Sequence, residues 1–542
     1  MHPVKPACLT PRLCYPTAMH LKKGLSIELT IHDLAFEGVA VGRYSDDVLT
    51  DYVVFVSGGA LAGEKVRASL TKIKKNYAEA QLEEVLSPSP QRITPRCKHF
   101  EICGGCTFQS LDYPNQLGWK EKTVADALRK IGGFRLEMGS SGAVTSPEQA
   151  GMAQTCDKLP ALKIAPILGC AEPWFYRNKM EYSFGDETLE GRTDEPVLGL
   201  HPPKKFYQVF ELQECFLESP LSVEVARGVQ AWVREHKLPV YHSRRDDGVV
   251  RNLIIREGKN TGELLVNLIT TSNDFPEAEF TSWATSTFPQ ITSLYRTVVS
   301  VQRGHRTVQK EYLLAGKPTL SEKLHVTGEK ELTFEILPQA FFQPNTRQAE
   351  LLYRTVVEFA GGAKQDRVLD LFCGTGTIGM FFAAQGGAVF GIDINKSAID
   401  NARRNATFNG LENIDFLCGD IGQLFNRLTE KPTLMITDPP RSGIDKKNLL
   451  KLMELRIPRW IYVSCNPTTL ARDLKLICGG AEAEAELAGA EAPTEATGET
   501  SAKVDGASLP RYAIKKIQPV DMFPQTYHVE TVCLIELDET AQ

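Results

Sequence analysis

The sequence predicts a multidomain protein: a small β-barrel, a mixed α+β central domain, and a C-terminal α/β domain built on a doubly wound sheet. Three observations predict it. Short β-rich runs punctuated by glycines fill residues 24–86. A tight cysteine loop at 97–106 opens a long stretch of strands and hairpins. From Arg367 onward, apolar runs of strand length alternate with helical stretches. At 542 residues the chain exceeds what one core supports. The domains are expected at 21–87, 88–335 and 336–542, behind a disordered extension at 1–20 in which Met19 is an alternative start.

In the first domain, residues 25–31, 39–44, 52–56, 65–73 and 78–86 read as strands, with Gly38, Gly42, Gly58-Gly59 and Gly63 at the turns. Five short strands in this length suggest an OB-like barrel. Lys72, Lys74, Lys75 and Tyr77 give it a basic rim, suited to RNA or simply a solvated face.

The central domain opens with Cys97-Lys98-His99-Phe100-Glu101-Ile102-Cys103-Gly104-Gly105-Cys106. Three cysteines this close, on a glycine-folded loop, form a metal clip that needs a fourth thiolate. Cys215 is the choice, with Cys156 and Cys170 as competitors. Four thiolates suit zinc or an iron–sulfur cluster. Residues 113–131 read as a helix stopped by Gly132-Gly133, and 137–160 as a loop insertion. Trp174-Phe175-Tyr176-Arg177-Asn178-Lys179 mixes rings with bases, and Arg244-Arg245 adds charge. That mixture suits RNA stacking and phosphate contact, and equally a core strand with exposed bases.

In the last domain, 367–372, 388–393, 414–417, 433–437 and 460–463 read as strands of a Rossmann-like parallel sheet, with a helix at 397–408. The Ala/Glu-rich tract 479–510 cannot bury a core and reads as a disordered insert. Strands at 512–520 and 531–536 close the chain.

Composition excludes some classes. No apolar run is long enough to span a membrane. The Pro-rich start lacks a signal-peptide core, and an odd count of 13 cysteines argues for reduced thiols, so a cytoplasmic location is expected. The net charge of −6 does not exclude RNA, because the acidic excess of 481–507 accounts for it all.

The chemistry concentrates at strand ends. Asp370-Leu371-Phe372-Cys373-Gly374-Thr375-Gly376-Thr377-Ile378-Gly379 forms a first strand–helix turn at which a cofactor can approach the backbone. Asp393 ends the second strand, where it would accept ribose hydroxyls, and Asp438-Pro439-Pro440 ends the fourth. Cys465 ends the fifth, in Ser464-Cys465-Asn466-Pro467, with a helix N-terminus expected to lower its pKa. A hydride-transfer enzyme has no use for that thiol. Methylation of a pyrimidine carbon does, because addition of a thiolate to carbon 6 makes carbon 5 nucleophilic.

These motifs, with Phe341-Phe342-Gln343-Pro344-Asn345 and His528-Val529-Glu530-Thr531-Val532, resemble those of the class I RNA 5-methyluridine methyltransferases, and of the iron–sulfur members acting on 23S ribosomal RNA. The resemblance implies Cys465 as nucleophile and Glu530 as the base that takes the carbon-5 proton. It implies S-adenosylmethionine as methyl donor, contacted by Gln343, Phe372, Asp393 and Asp438 beside the glycines Gly374 and Gly376. It also implies Cys97, Cys103, Cys106 and Cys215 as ligands of a [4Fe-4S] cluster, and a TRAM domain as the barrel. Ribosomal RNA is the expected partner, with transfer RNA the alternative; the expected form is a monomer that binds neither DNA nor membrane. The fourth-strand motif ends in Arg441, where 5-methylcytosine enzymes place a cysteine and adenine-N6 enzymes an aromatic. Competing readings are a dinucleotide-dependent oxidoreductase and a non-catalytic RNA-binding protein.

Overall fold

The computed structural model describes residues 21–137, 161–243, 245–300, 307–364, 366–420, 430–479 and 509–538. The expectations for 1–20, 138–160, Cys156, Arg244 and 480–508 lie outside the described residues. The chain forms two compact units: one of residues up to 94 with 107–112, the other of 95–106 with 113 onward.

The first unit is a closed five-stranded barrel of β1 (Ser26–Leu34), β2 (Ala40–Tyr44), β3 (Tyr52–Ser57), β4 (Lys65–Ile73) and β5 (Tyr77–Ser87), in the order β1-β2-β3-β5-β4. Its strands alternate buried and exposed positions, the period that lets one face fill a core. Closure comes from the parallel β3–β5 pairing. Glu64 is fully buried, and its carboxylate accepts from Leu61 N (2.8 Å) and from Arg92 Nη2 (2.9 Å). On the expected rim, Lys72 pairs with Glu79 at 2.8 Å, and Lys74 and Lys75 are exposed.

The second unit begins with the cysteine loop and α1 (Tyr113–Lys130). It then builds a seven-stranded sheet from β6 (Lys179–Thr188), β7 (Gly191–Leu200), β8 (Phe210–Glu211), β9 (Val250–Glu257), β10 (Leu264–Thr270), β11 (Ile291–Ser300) and β12 (Val308–Gly316), with α2 (Pro220–Glu235) and α3 (Glu277–Thr287) against it. Trp232, Phe280 and Leu268 are among the buried side chains of this core. The hairpin β13 (Leu320–Thr327) and β14 (Lys330–Ile336) joins the core of the C-terminal sheet instead, through Leu324, Phe334 and Ile336.

That sheet contains β15 (Arg367–Leu371), β16 (Ala388–Asp393), β17 (Ile414–Cys418), β18 (Leu434–Thr437), β19 (Arg459–Ser464), β20 (Tyr512–Val520) and β21 (Glu530–Leu537), in the order β17-β16-β15-β18-β19-β21-β20. The first five run parallel, as expected from their strand–helix alternation. β21 runs antiparallel to both of its neighbours, which makes the sheet mixed rather than wholly parallel. The reason is local: β20 and β21 are joined by the short turn 521–529, which has no room for a crossover helix. Helices α4 (Thr346–Phe359), α5 (Thr377–Ala383), α6 (Lys396–Phe408), α7 (Lys446–Glu454) and α8 (Pro467–Cys478) complete the layers. Strand order reverses between β15 and β18, where such sheets open a crevice at the strands' C-terminal edge.

Two segments from earlier in the chain complete this domain. Val124, Ala127 and Leu128 of α1 join the core under Trp460 and Tyr462. Residues 164–168 run along the outer edge of β20, with Ala165 N donating to Ile517 O (3.0 Å), and so cover an unpaired strand. Among the described residues no helix is long and apolar enough to cross a membrane.

Candidate active site

Strand polarity assembles the site. The C-terminal ends of β15, β16, β18 and β19 share one edge because these strands are parallel. β21 runs the other way, so its first residue, Glu530, arrives at that same edge. Ser464 pairs with Thr531 in the β19–β21 ladder, and the next step sets Cys465 abreast of Glu530.

Ile461, Tyr462 and Val463 are fully buried, so the strand carries Cys465 out of the core at its end. Asn466 then caps α8, its Oδ1 accepting from Thr468 N at 3.0 Å, and Pro467 takes the first helical position. Asn466 Nδ2 also donates to Arg441 O (3.1 Å), which ties the Cys465 turn to the end of β18. The helix N-terminus does not lower the thiol's pKa as the sequence reading expects. Burial first, then Glu530 and Asp438, push Cys465 up to about 12, with Arg441 opposing. Burial and two nearby carboxylates together outweigh the guanidinium.

Glu530 and Asp438 are themselves raised. Burial is the main cause for both, and Asp438 adds to the effect on Glu530 while Arg441 opposes it. Like charges this close do not both ionise easily, so protons are retained in the crevice. Tyr353 of α4 feels the same carboxylates and is raised by its burial. Arg441 Nη2 lies 3.3 Å from His528 Nε2. Burial, then Arg441, hold that imidazole down to about 4, a neutral ring able to accept from the guanidinium.

The glycine turn stands beside these groups. Phe372 takes a left-handed φ of 59° as the chain leaves β15, followed by Gly374 at 54° and Gly376 at 75°. A Cβ added to Gly374 would meet nothing within 4 Å, whereas one on Gly376 would lie 2.6 Å from the Phe416 ring. Asp393 Oδ2 accepts from Gly374 N (2.9 Å) and its Oδ1 from Asn395 N (2.8 Å), so the second strand's acid braces the turn. Asp370 Oδ2 accepts from Gly379 N (3.0 Å), but its buried Oδ1 has no hydrogen-bond partner. Burial, then Asp438, raise Asp370 to about 8. An open glycine turn, an orphaned carboxyl oxygen and an acid at the second strand end fit a nucleoside-bearing methyl donor. The half-buried Gln343 comes from the loop before α4. Its carbonyl accepts from Asn178 Nδ2 (2.8 Å), and the fully buried Arg256 holds the same loop by donating from Nε to Pro338 O (3.0 Å).

The segment 174–179 is tied into this framework. Tyr176 and Asn178 are buried, and Tyr176 OH donates to Pro524 O (3.0 Å). Arg96 spreads its guanidinium over Trp174, Phe175 and Phe216, 4.3 Å from the last ring's centre.

The cysteine loop is stitched to the segment of Cys215, between β8 and α2. Lys98 N donates to Glu214 Oε1 (2.7 Å), and Gln213 N meets His99 Nε2 at 3.1 Å. The Cys103 thiol feels Cys97, and Cys215 feels Cys106; burial raises both. Cys170 stands elsewhere, donating to Glu172 O (3.2 Å) with Asn345 Nδ2 beside it. Among the described residues no three Cys, His, Asp or Glu side chains converge on a single metal ion.

Sequence reasoning missed Tyr353, the Arg441–His528 contact, and α1 as a support of the 521–529 turn. The first carries no motif. The second lies inside two recognised motifs, and the third shows as polar Tyr113, Gln116 and Lys120 at helical spacing.

Comparison with known proteins decides the family. Residues 292–480 match the family model described as tRNA (Uracil-5-)-methyltransferase, and residues 21–82 match the TRAM domain. An uncharacterized RNA methyltransferase of Caldanaerobacter subterraneus is 33% identical over 529 residues, covering 95% of this chain and 100% of that one. The chain belongs to the RNA uracil-5-methyltransferase family. Another relative of the family, an uncharacterized RNA methyltransferase of Bacteroides thetaiotaomicron, is 33% identical over 93% of this chain and 100% of its own. The crystal structure of Pyrococcus abyssi tRNA (uracil-54, C5)-methyltransferase with S-adenosyl-L-homocysteine shares the fold, with a TM-score of 0.63 at 23% identity over 94% of this chain and 100% of that one. The uracil-5 family match spans Gln343, the glycine turn and Cys465, and ends before Glu530.

Proposed function

We propose that this protein transfers a methyl group from S-adenosylmethionine to carbon 5 of a uridine in RNA, with 23S ribosomal RNA as substrate. The observation that carries the reading is Cys465, one residue past the end of β19, close to Glu530 at the start of β21 and beside the glycine turn. The bound donor supplies an electrophilic methyl group. Phe372, Gly374, Gly376, Asp393 and Asp438, at the ends of β15, β16 and β18, are proposed to contact it, together with Gln343 from the loop before α4.

Cys465 adds as thiolate to carbon 6 of the uracil, and the electron pair of the 5,6 double bond moves toward carbon 5, which takes the methyl. Glu530 then removes the carbon-5 proton. The released pair re-forms the double bond and expels the Cys465 sulfur as thiolate. Arg441 favours both the ionised thiol and the ionised base. A uridine inside folded RNA must first leave its stack, at a cost of roughly a few kcal/mol.

Cys97, Cys103, Cys106 and Cys215 are proposed to hold a [4Fe-4S] cluster that fixes the loop, with no part in methyl transfer. A transfer-RNA substrate is the second reading, favoured by the description of the matched family.

RNA carrying 5-fluorouridine tests the mechanism. Carbon 5 then has no proton to lose, so the wild-type protein should stay bonded to the RNA through denaturing electrophoresis, and Cys465→Ala should not. Absence of the wild-type adduct overturns the mechanism. Mapping 5-methyluridine in ribosomal and transfer RNA from a deletion strain decides the substrate.

A further inference from the structure

The aromatic and basic strip at 174–179 is buried or half-buried, whereas another strip is fully exposed. Between β7 and β8 the chain reads Pro203-Lys204-Lys205-Phe206-Tyr207, and all five residues are exposed. Phe206 is 81% and Tyr207 66% exposed, and no Phe or Tyr among the described residues is more exposed than Phe206. Exposed rings side by side cost solvation and usually mark a contact surface.

The turn is firmly held beneath its tip. Lys205 N donates to Pro202 O (3.1 Å) and Gln208 N to Lys205 O (3.0 Å). At the base, His201 Nδ1 bonds Gln208 O and its Nε2 bonds Ser183 Oγ, both at 2.8 Å. Lys204 takes a left-handed φ of 63°, which bends the tip outward. Among the described residues no acid pairs with Lys204 or Lys205, and no ring stacks on Phe206 or Tyr207. The turn abuts the cysteine loop: a Cβ on Gly104 would lie 3.4 Å from Pro203 Cγ.

We infer that the 203–207 turn is a binding surface for unpaired RNA, with Phe206 and Tyr207 stacking on bases and Lys204 and Lys205 meeting phosphates. This rests on the proposed RNA substrate and narrows it to single-stranded segments beside the target. Charge favours a polyanion, since two unpaired ammonium groups flank the rings. Ring faces favour unpaired nucleotides, because a duplex hides the faces of its bases. The cysteine loop then braces an RNA contact, a use for a cluster that does no chemistry.

The test uses the full chain and a fluorescein-labelled twelve-nucleotide oligouridine, with a duplex RNA of equal length for comparison. Phe206→Leu/Tyr207→Leu keeps apolar bulk but removes the rings, and should weaken oligouridine binding roughly tenfold or more. Its slope of log affinity against log salt should match wild type. Lys204→Gln/Lys205→Gln should flatten that slope by about 0.7 for each phosphate no longer neutralised. Duplex binding should change less than twofold in the leucine variant. Oligouridine affinity and salt slope within twofold of wild type in both variants overturn the inference and leave the patch as a protein contact. The 5-fluorouridine adduct is scored separately on wild type. Its absence would fail the catalytic reading, while unchanged binding by the variants would fail only this one.

Discussion

Lys120 and Asp521 form an ion pair with 2.5 Å between Nζ and Oδ1, and neither side chain reaches solvent. Lys120 Nζ also donates to Phe523 O (2.9 Å), and Tyr113 OH donates to the other Asp521 oxygen (2.7 Å). Helix α1 thus grips the first residues of the turn that ends in His528 and Glu530. Lys120→Met leaves a buried carboxylate short of its cation and should cost about 3–5 kcal/mol in urea unfolding. Removing both charges, as Lys120→Met/Asp521→Leu, should recover much of that loss. A double variant no more stable than the single would mean the pair is not the source.

Glu530→Gln separates the two halves of the proposed reaction. The amide keeps the shape of the base but cannot take the carbon-5 proton. Methyl transfer should then proceed once, and a methylated adduct should accumulate on ordinary uridine RNA, where wild type shows little. Turnover should fall by at least about a hundredfold. Rapid turnover by this variant would assign the proton to another group.

The raised carboxyls make stability depend on pH in a definite sense. Asp370, raised to about 8, keeps a proton in the folded protein that the unfolded chain releases near its ordinary 3.8. Glu530 is displaced in the same direction. Between those values the native state binds more protons than the unfolded one, so stability falls as pH rises, by at most about 1.4 kcal/mol per pH unit per group. Asp370→Asn keeps an oxygen for Gly379 N and should flatten the curve of stability against pH over roughly 5 to 8. Catalysis has the opposite preference: an ionised Glu530 and Cys465 require the rate to rise with pH across that range. A rate that falls toward alkaline pH would contradict the assigned roles.

Much of this site was legible because its residues fall where strands end. Asp393, Asp438 and Cys465 each close or follow an apolar run of strand length, Asp370 lies one residue short of the end of β15, and the β15–β19 boundaries lie within a residue or two of the pattern. The antiparallel β21 was not legible as such, because polarity depends on a connection rather than on composition. Yet that polarity is what brings Glu530 to Cys465. The thiol's raised pKa was likewise hidden. It depends first on burial and then on Glu530 and Asp438, which are far from Cys465 in sequence. For residues 174–179 the sequence left two readings open, because the ring-and-base mixture that would suit RNA also suits a structural joint: Tyr176 OH bonds Pro524 O, and Arg96 covers the rings of Trp174 and Phe175.

Gly376→Ala tests the donor turn. At φ 75° a side chain is strained, and the added carbon would lie 2.6 Å from the Phe416 ring and 3.2 Å from Ala402 Cβ. Strain and overlap together should cost roughly 2–4 kcal/mol of stability and raise the KM for S-adenosylmethionine at least tenfold. Gly374→Ala has the strain, at φ 54°, but open space around it. It should cost only about 1–2 kcal/mol. Equal losses in the two would show that the backbone, not the Phe416 contact, sets the limit.

The choice of fourth cysteine is decided by iron. Cys215 is tied to the cysteine loop through Glu214–Lys98 and Gln213–His99, and its thiol feels Cys106. Cys170 instead bonds Glu172 O and neighbours Asn345, within reach of Asp521. Protein purified without oxygen should carry iron and acid-labile sulfide in equal amounts, with a broad thiolate-to-iron absorption near 400 nm, about four irons per chain. Cys215→Ser should lose most of that iron and Cys170→Ser should keep it. Because no step of the proposed reaction uses the cluster, Cys215→Ser should weaken RNA binding more than it slows a single turnover at saturating RNA. Iron retained in Cys215→Ser but lost in Cys170→Ser would reassign the ligand set, and zinc in place of iron would replace the cluster with a different metal centre.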